Sequence, residues 1–121
     1  MDEPEVSALT LKWLEERGYT VKTEVGVSGT EREVILDYFA FTENAGTPEI
    51  LWIECKGDVS LSMLLEGFIR TEFAIFLGGG KGILSCPTNA IQKLLKYKNF
   101  LEQAKDVIKI LDIEKNILHQ M

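Results

Sequence analysis

The chain has 121 residues, with 19 acidic side chains against 13 basic ones, a net charge of −6 and 45% hydrophobic residues. That length allows one domain over residues 1–121 with a single core and leaves no room for two. The negative balance argues against a protein that coats nucleic acid by charge alone. No apolar run is long enough to cross a bilayer, and the start Met1-Asp2-Glu3-Pro4-Glu5 lacks an apolar signal region, so no membrane partner and a cytoplasmic location are expected.

Pro4 suits a first helical turn and Gly18 suits a helix end, and between them Val6, Leu9, Trp13 and Leu14 recur at helical spacing. Residues 20–27 alternate and read as a strand, turned back by Ser28-Gly29-Thr30 into a second strand over 32–41. The linker Thr42-Glu43-Asn44-Ala45-Gly46-Thr47-Pro48 is built from turn formers and leads to a third strand over 50–56. The expected result is an antiparallel meander.

Gly57-Asp58 breaks that strand, and Asp58 or Ser60 can cap the next helix. Leu61, Leu64, Leu65, Phe68, Ile69, Phe73 and Phe76 give this helix a broad apolar face, while Ser62, Glu66 and Arg70 form a polar stripe. Gly78-Gly79-Gly80-Lys81-Gly82 lacks the Ser or Thr and the following helix of a phosphate loop, so the glycines end the helix and turn the chain. Ile83-Leu84-Ser85-Cys86 follows as a short buried strand, joined by a right-handed crossover to lie parallel beside the third.

Pro87 and Thr88 open another helix expected to reach about Ala104, carrying Lys93, Lys96, Lys98 and Lys105 on its polar side. The run 107–113 is nearly all apolar, and Glu114-Lys115-Asn116 reads as a turn into a return strand, with a terminal helix as the alternative. Cys55 and Cys86 sit in apolar strands, as reduced buried thiols do, and with His119 they make no zinc spacing.

The second and third strands carry the informative residues. Side chains alternate along a strand, so Trp52, Glu54 and Lys56 share one face while Leu51, Ile53 and Cys55 share the other. Asp37 lies amid hydrophobics on the preceding strand. Charges planted in apolar strands are costly without partners. Two carboxylates and a lysine would satisfy one another around a bound cation; a structural ion-pair cluster at strand ends is the plainer reading.

Asp37, followed by Glu54-Cys55-Lys56 at the end of the next strand, resembles the PD-(D/E)XK nuclease superfamily. The order of elements from Glu5 to Ser85 fits as well, and Leu36 stands where the motif has proline. The resemblance implies an α/β (α+β) restriction-endonuclease-like core: a mixed sheet flanked by helices, in the order α-β-β-β-α-β, with a C-terminal helix and strand or strands added. It implies a Mg²⁺- or Mn²⁺-dependent endonuclease acting on DNA. Asp37, Glu54 and the Cys55 backbone carbonyl would hold the metal, and Lys56 would contact the attacking water and the scissile phosphate. In some members a glutamate on the first helix joins the metal; Glu5 is the candidate, against a plain favourable charge at a helix N-terminus.

The helix that follows Lys56 would overhang such a site, bringing Glu66 and Arg70 toward the substrate. Lys93, Lys96 and Lys98 would contact phosphates, or else form a solvated helix face. So small a chain would grip both strands of a duplex as a homodimer, with the apolar segment from Val107 onward as the expected surface. The alternative function is a nuclease-like subunit that binds nucleic acid or protein without cleaving.

Overall fold

The computed structural model describes residues 1–28, 33–44, 47–102, 104 and 106–119. Helix α1 (Glu3–Glu16) starts where Asp2 caps it, its Oδ1 accepting the Glu5 N–H at 2.9 Å, with Pro4 in the first turn. Strands β1 (Thr20–Ser28), β2 (Glu33–Asn44) and β3 (Thr47–Cys55) follow, then α2 (Leu61–Gly78) and β4 (Lys81–Cys86). The chain closes with α3 (Thr88–Leu95), the short α4 (Lys98–Glu102), β5 (Ile108–Asp112) and β6 (Ile117–His119).

The strands form one six-stranded mixed sheet in sequence order. β1, β2 and β3 run antiparallel, with Phe41 facing Thr20 on one side and Ile50 on the other. β3, β4 and β5 are parallel, and β6 returns antiparallel to β5. This is the α/β fold and element order expected from the residues. The turn at Glu114-Lys115-Asn116 is present, with Asn116 at φ 56°, and the terminal-helix alternative is not realised. Asp112 holds that turn: its Oδ1 accepts the N–H groups of Glu114 and Lys115. Among the described residues no helix is long and apolar enough to cross a membrane.

Helices cover both faces, giving three layers. On one face, α1 buries Val6, Trp13 and Leu14 against Tyr38, Ile53, Cys55 and Leu111. Its register on the sheet is fixed by polar contacts: the Thr10 hydroxyl bonds Val6 O at 2.6 Å and Ser85 Oγ at 2.7 Å, and the Tyr38 hydroxyl donates to Ser7 O at 2.9 Å. On the other face, Leu64 and Phe68 of α2 pack with Ala90, Ile91 and Leu94 of α3 over Leu84, Ile108 and Ile110.

Three expectations need correction. The helix expected from Thr88 to about Ala104 is broken after Leu95, where Tyr97 N–H closes a turn onto Leu94 O at 2.9 Å. Residues 96–99 contain no aliphatic side chain to bury, so the chain tightens there before Leu101 returns to the core. The apolar face of α2 is narrower than its composition suggests. Leu64, Gly67, Phe68, Thr71 and Ala74 form the buried stripe, while Ile69, Phe73 and Phe76 point outward, Phe76 with 82% exposure. Finally, the segment from Val107 is a free surface only in part: β5 lies between β4 and β6, with Ile108, Ile110, Leu111 and Ile113 buried, while β6 is an edge strand with Ile117 exposed.

The glycine run does as expected. Gly79 and Gly80 have φ of 74° and 82°, which suits residues without a Cβ, and a Cβ on Gly82 would lie 2.3 Å from Thr71 Cγ2. The run lets α2 turn tightly back into β4.

Candidate active site

The strands carrying Asp37 and Glu54 part where those residues lie. β2 and β3 pair from Asn44↔Thr47 to Tyr38↔Ile53 and no further. Beyond that point side-chain bonds take over: Asp37 Oδ2 accepts the Cys55 N–H at 2.7 Å, and the Asp37 N–H reaches Glu54 Oε1 at 3.3 Å. Each acid is thus held by the backbone of the other strand's end. On the far side of β2, pairing with β1 runs on both sides of Glu24 and Asp37 but skips that pair. Glu24 sits at φ 51°, a left-handed conformation uncommon for a non-glycine residue and frequent at functional sites.

A cavity of about 380 Å³ opens at this parting. Asp37, Glu54, Lys56 and Arg70 line it together with Glu3 and Glu24. Glu54 is only 3% exposed. Its pKa is pushed up to about 8, first by burial and then by the hydrogen bond and charge of Asp37; Lys56 and Arg70 pull the other way. Arg70 NH1 lies 3.9 Å from Glu54 Oε2, and its NH2 pairs with Glu66 Oε1 at 3.2 Å.

Lys56 lies at the same cavity. It is 7% exposed, yet among the described residues its ammonium has no hydrogen bond or ion pair. The side chain passes over Gly67 of α2, where an added Cβ would lie 3.0 Å from Lys56 Cε, and its end opens on the cavity. Its charge still acts on Glu54, and because no buried polar side-chain atom among the described residues lacks a partner, the ammonium tip reaches the open cavity.

The first helix reaches the cavity by a different residue from the one expected. Asp58 N–H donates to Met1 O at 3.0 Å, so the chain start lies across the end of β3. A Cβ on Gly57 would come within 2.7 Å of Glu3 N, so only glycine admits that crossing. Glu3 lines the cavity; Glu5 is exposed and is not among the lining residues. Of the proposed substrate contacts, Arg70 lines the cavity and Glu66 holds Arg70 from outside it.

Lys93 is engaged elsewhere: its ammonium bonds Asp58 Oδ1 at 3.2 Å and Val59 O at 2.9 Å, tying α3 to the loop after β3. Lys96 is exposed beyond the end of α3. The side chain of Lys98 and the whole of Lys105 lie outside the described residues. Glu3 and Glu24 escaped the sequence reading. Gly57 directly after Lys56 was the one local signal for Glu3, and no local pattern marks Glu24.

The donor set fits a hard divalent cation. Among the described residues no three His, Cys, Asp or Glu side chains converge as a metal site. The two carboxylates, Asp37 and Glu54, would supply side-chain oxygens, with a backbone carbonyl and water completing the shell, as magnesium tolerates well. The Cys55 thiol is turned into the α1 core, and burial pushes its pKa up, so it is no ligand.

No family model and no curated protein matches the chain. Among solved structures, it is similar to the crystal structure of a protein of unknown function, AF1548, with a TM-score of 0.55 and 24% identity. The match covers 88% of this chain and 55% of that one, so this chain spans about half the length of its structural neighbour. At that identity the likeness supports the fold, an α/β unit with a six-stranded mixed sheet.

Proposed function

We propose that this chain is a divalent-metal-dependent nuclease of the PD-(D/E)XK type, an endonuclease hydrolysing phosphodiester bonds in DNA. The observation that carries the reading is the Lys56 side chain, 7% exposed, whose ammonium opens into the same cavity as the Asp37–Glu54 pair and bonds no carboxylate among the described residues. A structural cluster would have closed that lysine onto a carboxylate.

Asp37, Glu54 and the Cys55 carbonyl would hold Mg²⁺ or Mn²⁺. When bound, the ion supplies charge for the phosphate oxygens and a lowered pKa for water. The chain's own residues do the remainder. Lys56 hydrogen-bonds a non-bridging phosphate oxygen and holds the attacking water, and a compact ammonium suits both tasks. Attack forms a P–O bond from water as the bond to the leaving sugar oxygen breaks; that oxygen takes up a proton. Arg70, held by Glu66, keeps a fixed positive charge at the cavity mouth. Its partial neutralisation of Glu54 lets a substrate phosphate approach an otherwise acidic wall.

A homodimer belongs to the same proposal, because two strands require two sites. Its surface lies elsewhere than the interior strand β5. Light scattering giving a monomer mass at high concentration would refute the dimer.

The metal assignment is tested by calorimetric titration with Mn²⁺. Wild type should bind one ion per chain, and Glu54→Ala should bind at least tenfold more weakly. Equal binding by the two proteins would remove the assignment. If the metal binds but no DNA is cut, the chain acts as a binding subunit, a reading that its net charge of −6 keeps in play.

A further inference from the structure

A second cavity, of about 300 Å³, lies on the α1 face of the sheet at the amino ends of the parallel strands. Its floor follows from register. Leu51 pairs with Lys81 and Ile83 pairs with Lys109, so these four side chains share one face. Trp13 and Leu118 form walls, and the Arg17 guanidinium carbon lies 3.9 Å from the Trp13 ring centre. Arg17 is fixed there by bonds to Trp13 O at 3.1 Å and Asn116 Oδ1 at 3.3 Å.

The charges of this trough are lopsided. Arg17, Lys81 and Lys109 line it with a single carboxylate, Glu49, which accepts the Tyr19 hydroxyl at 3.0 Å. Among the described residues the side chain of neither Lys81 nor Lys109 has a hydrogen bond or ion pair. Lys109 is the more telling. It sits in the middle of β5, an interior strand whose other residues are all buried. Interior parallel strands are normally continuous apolar runs, and a half-buried lysine there is a cost that packing does not explain. The cavity combines an aliphatic floor, an indole wall and two lysines whose ammonium groups have no partner among the described residues, at a volume near the lower end for small-molecule sites.

We propose that this trough binds a small organic anion. An apolar or aromatic body lies on Leu51 and Ile83, and a carboxylate, sulfate or phosphate head is held by Lys81 and Lys109. The site is independent of the Asp37–Glu54 cavity, which opens at the other ends of the strands, and involves no metal.

The test uses ¹H–¹⁵N spectra of the whole chain in the presence of chelator, with three probes. Naphthalene-1-sulfonate carries body and head, inorganic sulfate the head alone, and naphthalene-1-methanol the body without charge. Naphthalene-1-sulfonate should saturate and shift the amides of Lys81, Gly82 and Lys109, with sulfate and the alcohol each roughly tenfold weaker or more. Lys109→Met keeps the aliphatic stem and should weaken the sulfonate by about tenfold. If Lys109→Met does not give a folded spectrum, Lys81→Met at its exposed position serves instead. Equal binding of sulfate or of the alcohol, shifts centred on α2 rather than the trough, or unchanged affinity in the lysine variant would each overturn the proposal.

Discussion

The two ends of the parallel strands carry opposite surpluses of charge. At the carboxyl end, on the α2 face, four carboxylates (Glu3, Glu24, Asp37 and Glu54) meet two cations, Lys56 and Arg70. At the amino end, on the α1 face, three cations meet one carboxylate, Glu49. In the first region the backbone does much of the holding: Asp37 is tied by the Cys55 N–H, and Glu54 by the Asp37 N–H. In the second, Arg17 and Glu49 are tied by neighbours while both lysines stand free among the described residues. The difference teaches what each region still lacks. The acidic cavity is short of positive charge, which on the proposed reading a divalent cation supplies; the basic trough is short of negative charge and has an aliphatic floor.

The largest effect is expected at Gly67. A Cβ there would lie 3.0 Å from Lys56 Cε and 3.2 Å from Leu84 Cδ1, so the flexible lysine must shift. Misplacing a group that acts in the transition state lowers turnover steeply. Gly67→Ala should keep the fold and the metal affinity while cutting kcat by roughly tenfold to a hundredfold. Steady-state cleavage together with Mn²⁺ titration checks this; an unchanged kcat would detach Lys56 from the chemistry.

A moderate effect is expected in pH dependence. Glu54 has its pKa raised from 4.5 to about 8, so the folded state binds its proton more tightly than the unfolded state does. That contribution to stability is fully present below pH 4.5 and is lost as pH rises through about 8. Chelated wild type should therefore lose stability over this window, and added Mn²⁺ should restore it at the alkaline end. Glu54→Gln should flatten the loss. Urea unfolding between pH 5 and 9 reads it, and a wild-type profile identical to that of Glu54→Gln would show that burial of this acid is not felt.

Much of this architecture was legible from residues alone. Alternation in β1 to β3, the turn formers between them and the glycines after α2 specify the meander and the first crossover. Asp37, Glu54 and Lys56 were legible because adjacent strands bring them together whatever the details of packing. Residues placed by tertiary contact were not. Glu3 reaches the cavity only because the chain start crosses Gly57, and Glu24 only because β1 distorts opposite Asp37. Lys93 looked free on its helix, but its partners Asp58 and Val59 lie in a loop more than thirty positions away. Phe76 has a core residue's chemistry, yet it lies off the stripe of α2 that faces the sheet. The basic trough draws its lining from a helix, four strands and the connecting residues Arg17, Tyr19 and Val107, so no local pattern announces it.

The smallest expected effect crosses the two regions. Lys109→Met should leave Mn²⁺ affinity and cleavage unchanged, since the residue borders only the trough. Because it removes a half-buried charge with no partner among the described residues, stability should hold or rise by up to about 1 kcal/mol. Urea unfolding measures the stability. A loss of cleavage in this variant would mean that the two cavities are coupled and not separate.

Metal-dependent cleavage is tested by incubating purified wild type and Lys56→Met with supercoiled plasmid and with branched DNA, in Mg²⁺, in Mn²⁺ and in chelator. Wild type should cut at least one of these substrates with a divalent ion and none in chelator. Lys56→Met should bind DNA about as tightly yet cut at least a hundredfold more slowly, as expected when a charge acting on the transition state is removed. Full cleavage by Lys56→Met, or no cleavage by wild type under any of these conditions, would contradict the claim.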